Sequence, residues 1–375
     1  MPRPAAFAAP LPSTASVLGT MTFGDHAQVK EQEATAVLEA FVADRTRAEL
    51  GPNARALVDT ARIYQWGGTE EVLGRILAKR PDLAAKIDVH SKANTLISRL
   101  NEDGLRSQLA ASLKALGRES LEVFYMHSPD VETPLLETLK ACKKLKDEGL
   151  LKELGLSAYP GWAVVHAHYL CEVHGLQSVK PTVYQGVYNA LNRNLDAELL
   201  PALRTMGMRC VVYNPLAAGV LADRYKSADE LNRATQGRFS TEFDIVPADK
   251  GEGNPLRGVA HKMYRARYGN ERLFDGVAVV REAVAKAAVP MADASLRWAL
   301  HHSELRPDLG DGVIFGVSSV KQAAQNIAAC SAAALPGDVV AAYEAAGQLA
   351  AGSAEAYFRG YDKQSGSAKQ YLSRF

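Results

Sequence analysis

Eight short β-rich runs, most followed by a longer stretch of helical periodicity, constrain this 375-residue chain more than any other feature. They are SVLGTMTF (16–23), ARALVDT (54–60), KIDVHSK (86–92), LEVFYMH (121–127), KELGLS (152–157), PTVYQGVY (181–188), MRCVVYNP (208–215) and DGVIFGVS (311–318). Between them, Gly68 to Leu77, Asn101 to Leu116 and Leu135 to Glu148 carry apolar residues three and four apart. Leu105, Leu109, Leu113 and Leu116 share one stripe, so that helix is expected to lie on a sheet or barrel. Near-continuously apolar strands alternating with helices belong to a parallel sheet buried on both faces. Eight such units predict an α/β fold closed into a (β/α)8 TIM barrel rather than an open doubly wound sheet. About a hundred residues separate the seventh run from the eighth. They hold a turn-rich loop (Gly237 to Gly258) and helical patterns near 276–288 and 291–302, read as a loop-and-helix insertion over the barrel mouth. The chain is expected to form one domain over 1–375, with 1–15 a mobile leader and 360–375 a mobile tail.

Composition excludes several function classes. With 47% hydrophobic and 23% charged residues, wholesale disorder is ruled out. Forty-three Lys and Arg face 42 Asp and Glu without a long single-sign run, so neither nucleic acid nor an anionic membrane is expected as partner. Small molecules are. Cys142, Cys171, Cys210 and Cys330 are too scattered for a disulfide framework or zinc site and read as reduced, buried thiols. No apolar run approaches the roughly 18 residues of a spanning helix. Pro2, Pro4, Pro10 and Pro12 break any signal-peptide core, so the cytoplasm is the expected location. GEGNPLRG (251–258) has the wrong spacing for a Rossmann site, and no Gly-Lys-Ser/Thr loop exists. His166 and His168 would point about 200° apart on a helix, and His301-His302 lacks a third ligand, so no metal site is expected.

Barrel enzymes keep their chemistry at the C-terminal ends of the strands. There the second, third and fourth runs supply Asp59, Lys92 and His127, with Tyr64 five residues beyond Asp59. Adjacent strands lie about 4.8 Å apart, so the four groups can converge. Singly, each has a plainer reading: a turn cap, a lysine snorkelling to water, a core histidine, a loop aromatic. Jointly, three ionisable groups ending three successive apolar strands are costly unless paired or used. A phenol beside an ammonium is expected to have a lowered pKa and to exchange protons more readily near neutrality. Asp59 would keep Lys92 charged, and His127 would orient a carbonyl oxygen. Such a site protonates a developing alkoxide while another group delivers hydride.

In type, order and spacing these residues resemble the aldo-keto reductase family: VDTARIYQWGGTEEVLG (58–74), then Lys92 in VHSKAN and His127 in MHSPD. The resemblance runs from Leu18 to Arg359 and implies a catalytic tetrad of Asp59, Tyr64, Lys92 and His127, with Tyr64 as general acid. It also implies an NADPH groove. Ser157 and Gln185 would hold the nicotinamide carboxamide, and Tyr213 would stack on the ring. Asn214, Pro215, Leu216, Gly219 and Leu221 resemble the pyrophosphate loop. Gly316, Ser318 and Ser319 open the helix carrying Gln325 and Asn326, where a helix start and a phosphate suit each other. PTVYQGVYNALNR (181–193), NPLAAGVL (214–221), MYRARY (263–268) and AYFR (356–359) are most similar to the aflatoxin-aldehyde and succinic-semialdehyde reductase branch. That branch implies Tyr264, Arg267 and Arg359 around a substrate carboxylate beside His127, Arg238 on a cofactor phosphate, and a homodimer. Two positions depart from the pattern. Ser157-Ala158 stands where Ser-Asn is usual, and Gln322 stands where the wider family often has Arg near the 2′-phosphate. The function implied is NADPH-dependent reduction of aldehydes (aflatoxin dialdehyde, succinic semialdehyde, aromatic aldehydes). Alternatives are an NADPH-binding regulatory subunit resembling potassium-channel β subunits, and a Schiff-base aldolase using Lys92.

Overall fold

Every one of the eight runs becomes a strand in the computed structural model, which describes residues 15–46, 54–241, 243 and 260–359. Residues 1–14 of the leader, most of the turn-rich loop and the tail from 360 lie outside the described residues. The strands are β1 (Ala15–Gly19), β2 (Ala56–Asp59), β3 (Ile87–Ala93), β4 (Leu121–Met126), β5 (Leu151–Ser157), β6 (Val183–Val187), β7 (Arg209–Tyr213) and β8 (Gly312–Gly316). Each pairs in parallel with its sequence neighbour, and β8 closes on β1 through Gly19 and Gly316.

Strand ends differ from the sequence expectation where the backbone turns. β1 stops at Gly19 because the Thr20 amide and hydroxyl both donate to the Asp59 carbonyl, each at 3.0 Å. β7 stops at Tyr213 because Asn214 takes a left-handed φ of 62°.

Side chains alternate between the two faces of each strand. Val58, Val89, Phe124, Leu154, Tyr184 and Val212 point outward into the layer shared with the helices. Val17, Val123, Tyr125, Val183, Val211 and Ile314 point inward and fill the barrel. Tyr125 fits across the interior because its β5 neighbour is Gly155, where a Cβ would lie 2.2 Å from the ring. The same inward parity carries Asp59, Lys92, Ser157, Gln185 and Tyr213 to the top of the interior.

The helix Glu102–Leu116 starts where Asn101 Oδ1 accepts from the Gly104 amide at 3.0 Å, and its four stripe leucines are buried. Between β7 and β8 lie the described helices Ala228–Asn232, Ala260–Tyr268, Glu271–Lys286 and Met291–His301. Not all of them cover the mouth. Met291–His301 packs beside β8 and the helix Val320–Cys330, because Ala294, Leu296 and Trp298 need the outer apolar layer. Ala260–Tyr268 lends Met263 and Tyr264 to the cavity at the mouth, and the first turn of Met291–His301 lends Ala292 and Asp293. All four cysteines are buried free thiols. Among the described residues no helix is long and apolar enough to cross a membrane.

Candidate active site

Asp59 and Lys92 meet at the ends of β2 and β3. Lys92 Nζ donates to Asp59 Oδ1 and, at 2.7 Å, to the Thr60 carbonyl. Gln185 Nε2, from β6, donates to Asp59 Oδ2 at 2.9 Å. Lys92 is 0% exposed and Asp59 3%, so this is a buried ion pair with both carboxylate oxygens engaged.

Tyr64 is presented by a strained turn. The next three residues are all left-handed: Gln65 at φ 49°, Trp66 at φ 55° and Gly67 at φ 101°. Only glycine suits the last position, since a Cβ there would stand 1.5 Å from the Arg62 guanidinium. Arg62 in turn pairs with the buried Glu70 at 2.5 Å, and Glu70 accepts from Ser91 Oγ of β3 at 2.6 Å. Non-glycine residues held at positive φ cluster where a fold fixes a functional side chain. The Tyr64 ring lies edge-on to His127, 6.0 Å between centroids at 83°, and Lys92 Nζ is 5.6 Å from the ring centre. The four residues expected to act together are therefore brought together.

Their electrostatics differ from the sequence expectation in one respect. The Tyr64 phenol is pushed up from its ordinary value, first by burial and then by the Asp59 carboxylate. The expected lowering by Lys92 does not emerge, because that ammonium is committed to Asp59. Burial pulls the Lys92 pKa down and the Asp59 contact opposes it. His127 is held well below its usual range by burial, then by Lys92 and Arg359, so its imidazole is neutral. Its buried Nδ1 has no hydrogen-bond partner.

A cavity of about 650 Å³ opens from this cluster. Asp59, Tyr64 and His127 line one end together with Ser157, Gln185 and Tyr213. Asn214, Pro215, Leu216 and Gly219 line the next stretch, in a loop where Asn214, Ala217, Ala218, Gly219 and Asp223 all have positive φ. Successive turns of this kind aim backbone N–H groups into one concavity. Asn214 Nδ2 is buried there without a partner. Gly316, Ser318, Gln325 and Asn326 complete the wall at the start of the Val320–Cys330 helix. Ser319 caps that helix by accepting from the Gln322 amide at 3.2 Å but does not line the cavity. Leu221 is buried behind it, its carbonyl accepting from Ser295 Oγ at 2.9 Å. Tyr188 is also buried elsewhere, stacked on Trp298.

The arginines divide. Arg238 lines the cavity, 5.3 Å from the Phe243 and Tyr264 ring centres, with Nη1 3.4 Å from the Tyr264 hydroxyl. Arg224 also lines it and was missed in the sequence, where an arginine in a polar loop gives no signal. Neither pairs with a carboxylate among the described residues. Arg359 reaches the wall near His127, and its amide donates to the Ala158 carbonyl at 2.9 Å. Arg267 does not reach the cavity: it is 4% exposed, and its Nε donates to Glu355 at 2.8 Å. The resemblance implies a substrate carboxylate for it; here its Nε is taken by a carboxylate of the chain itself. Asn94, Leu96 and Met263 also line the cavity, without having been singled out in the sequence.

The family model for the aldo/keto reductase family matches residues 17–348. Human "Aldo-keto reductase family 7 member A3" is 38% identical over 350 residues, 92% of this chain and 97% of that protein. Human "Aflatoxin B1 aldehyde reductase member 2" is 38% identical over 355 residues, covering 93% and 91%. Human "Aflatoxin B1 aldehyde reductase member 4" is 37% identical over 349 residues, covering 92% and 97%. A closed eight-stranded parallel barrel, the convergence of Asp59, Tyr64, Lys92 and His127, and likeness along nearly the whole chain have one reading: this chain belongs to the aldo/keto reductase family and is an oxidoreductase.

Proposed function

We propose that the chain reduces aldehydes to alcohols with NADPH, Tyr64 supplying the proton and His127 and Lys92 completing the site. The observation that carries this reading is the Tyr64 phenol ring set edge-on against the His127 imidazole, with the Lys92–Asp59 pair beside it. Tyr64 donates its proton to the carbonyl oxygen, and the phenolate left behind faces the Lys92 ammonium. Asp59 and Gln185 keep that ammonium in place. His127, uncharged, donates a ring N–H to the carbonyl oxygen without competing for the proton. Names of the relatives, aflatoxin B1 aldehyde reductases, support an aldehyde as substrate.

The residues present fit a phosphate-bearing dinucleotide. The orphaned Asn214 amide, the positive-φ loop, and Arg224 and Arg238, which pair with no carboxylate among the described residues, supply donors for phosphate. When bound, the dihydronicotinamide supplies the hydride. Ser157 and the carbonyl oxygen of Gln185 would receive its carboxamide, Tyr213 its ring face, and Arg238 with the Ser318 region its phosphates. Ala158 lacks an amide and sits at φ 55°, a conformation asparagine tolerates better than alanine. Ala158→Asn is therefore expected to tighten NADPH binding by about threefold, worth roughly 0.6 kcal/mol. Fluorescence titration checks it; weaker binding would remove the carboxamide contact from this position.

Arg359 marks the substrate end as suited to a carboxylated aldehyde, since a guanidinium matches two carboxylate oxygens. Arg359→Ala should raise KM for succinic semialdehyde by about tenfold or more and leave 4-nitrobenzaldehyde within about twofold, as expected for loss of one charge-assisted contact. Equal effects on both aldehydes would discard the carboxylate site. The function itself is tested by following nicotinamide absorbance with NADPH or NADH and each aldehyde. Consumption of NADPH with both supports the reading, and tight NADPH binding without turnover refutes it.

A further inference from the structure

We infer that Arg267 does not bind substrate but positions Arg359, acting through Glu355, and that this ion pair, buried on its arginine side, sets the preference for carboxylated aldehydes. The inference rests on the reading of Arg359 as the carboxylate receptor. Arg267 and Tyr264 share the mouth helix Ala260–Tyr268, yet only Tyr264 faces the cavity. The Arg267 side chain runs instead to Glu355, 88 residues further on, in the irregular segment that follows the last helix, Gly337–Ala350. A buried guanidinium deprived of its carboxylate is strongly unfavourable, so this contact holds the two segments together.

Glu355 lies four positions before Arg359, and the segment they bound is tethered at three groups. The Glu355 carbonyl accepts from Asn192 Nδ2 at 3.0 Å and Asn194 Nδ2 at 3.1 Å. The Tyr357 hydroxyl accepts from the Gly161 amide at 3.0 Å and donates to Glu198 at 3.2 Å. The Arg359 amide then docks on the Ala158 carbonyl. Most of these tethers run to the barrel side, from the loops after β5 and β6. Among the described residues, the Arg267–Glu355 pair is the ion pair that ties the segment to the mouth helix. It thus fixes the spacing between the wall bearing Tyr264 and the one bearing Arg359. A carboxylate bound between those walls senses that spacing. An uncharged aldehyde reacting at Tyr64 does not.

Glu355→Gln separates the two roles open to Arg267, because they predict opposite signs. The amide keeps the backbone tethers and the side-chain volume but releases the guanidinium. If Arg267 positions Arg359, KM for succinic semialdehyde should rise about five- to twentyfold, as for loss of one coupled contact. Its kcat, and both constants for 4-nitrobenzaldehyde, should stay within about twofold, and Arg267→Gln added to Glu355→Gln should do no further harm. If Arg267 is itself a ligand, freeing it should lower KM for the semialdehyde, and the double variant should be much worse than Glu355→Gln alone. That pattern, or an unchanged KM, overturns the inference. The parent reading fails separately: Arg359→Ala in the otherwise unaltered chain would then leave semialdehyde KM untouched. Thermal melting guards the comparison. Should Glu355→Gln melt far lower, Glu355→Asp, which keeps the charge but shortens the reach, is expected to show the same KM split in smaller measure.

Discussion

Tyr64→Phe is expected to lower kcat for 4-nitrobenzaldehyde with NADPH by about 10²- to 10⁴-fold, the range for a positioned general acid. KM and the NADPH dissociation constant should stay within about twofold, as for an interaction made only in the transition state. The replacement removes one oxygen and keeps the ring, so the edge-on packing against His127 and the strained turn through Gly67 persist. Burial and the Asp59 carboxylate hold the phenol protonated, and its ring lies beside both His127 and Lys92. Steady-state rates combined with cofactor titration check the prediction. Turnover near that of the unaltered enzyme would move the proton donor elsewhere, with His127 the first candidate.

Lys92→Met is expected to cost about 3–5 kcal/mol of folding stability as well as most of the activity, because it leaves a buried carboxylate without its counter-charge. Asp59 would keep only the Gln185 amide, at 2.9 Å. The Lys92 side chain is fully buried, so water cannot take the ammonium's place without opening the barrel top. Asp59→Asn in the same chain removes the stranded charge. The double variant should therefore recover most of the stability and none of the turnover. Urea unfolding of the two variants, with initial rates beside it, decides the matter. Equal stability of the single and double variants would mean that Asp59 takes up a proton or is solvated, and that the pair is not the electrostatic base of the site.

The aldolase reading meets the same pair. A Schiff-base lysine must be neutral and able to reach its carbonyl, whereas Lys92 donates to Asp59 and Thr60 and lies below the cavity wall.

Much of the fold and the chemical core of the site was legible in the amino-acid sequence, because both depend on local period. Apolar strands alternating with helical stripes specify a barrel, and inward–outward parity then places Asp59 and Lys92 at strand ends on one face. The Asn101 cap and the leucine stripe that follows it are equally local. Even the strained segments announce themselves in part, since Gly67 and Gly219 sit where only a permissive backbone serves.

What the tertiary structure alone decided was which long side chain meets which. Composition offers 43 cations and 42 acids, and sequence order does not say that Arg267 finds Glu355 while Arg238 and Arg224 find no acid among the described residues. The sign of the Tyr64 shift was hidden for the same reason. It depends on Lys92 being already engaged by Asp59 and on the depth at which both are buried, quantities that exist only once β2, β3 and β6 stand side by side. Period is a property of neighbouring residues, but pairing and desolvation belong to the closed barrel.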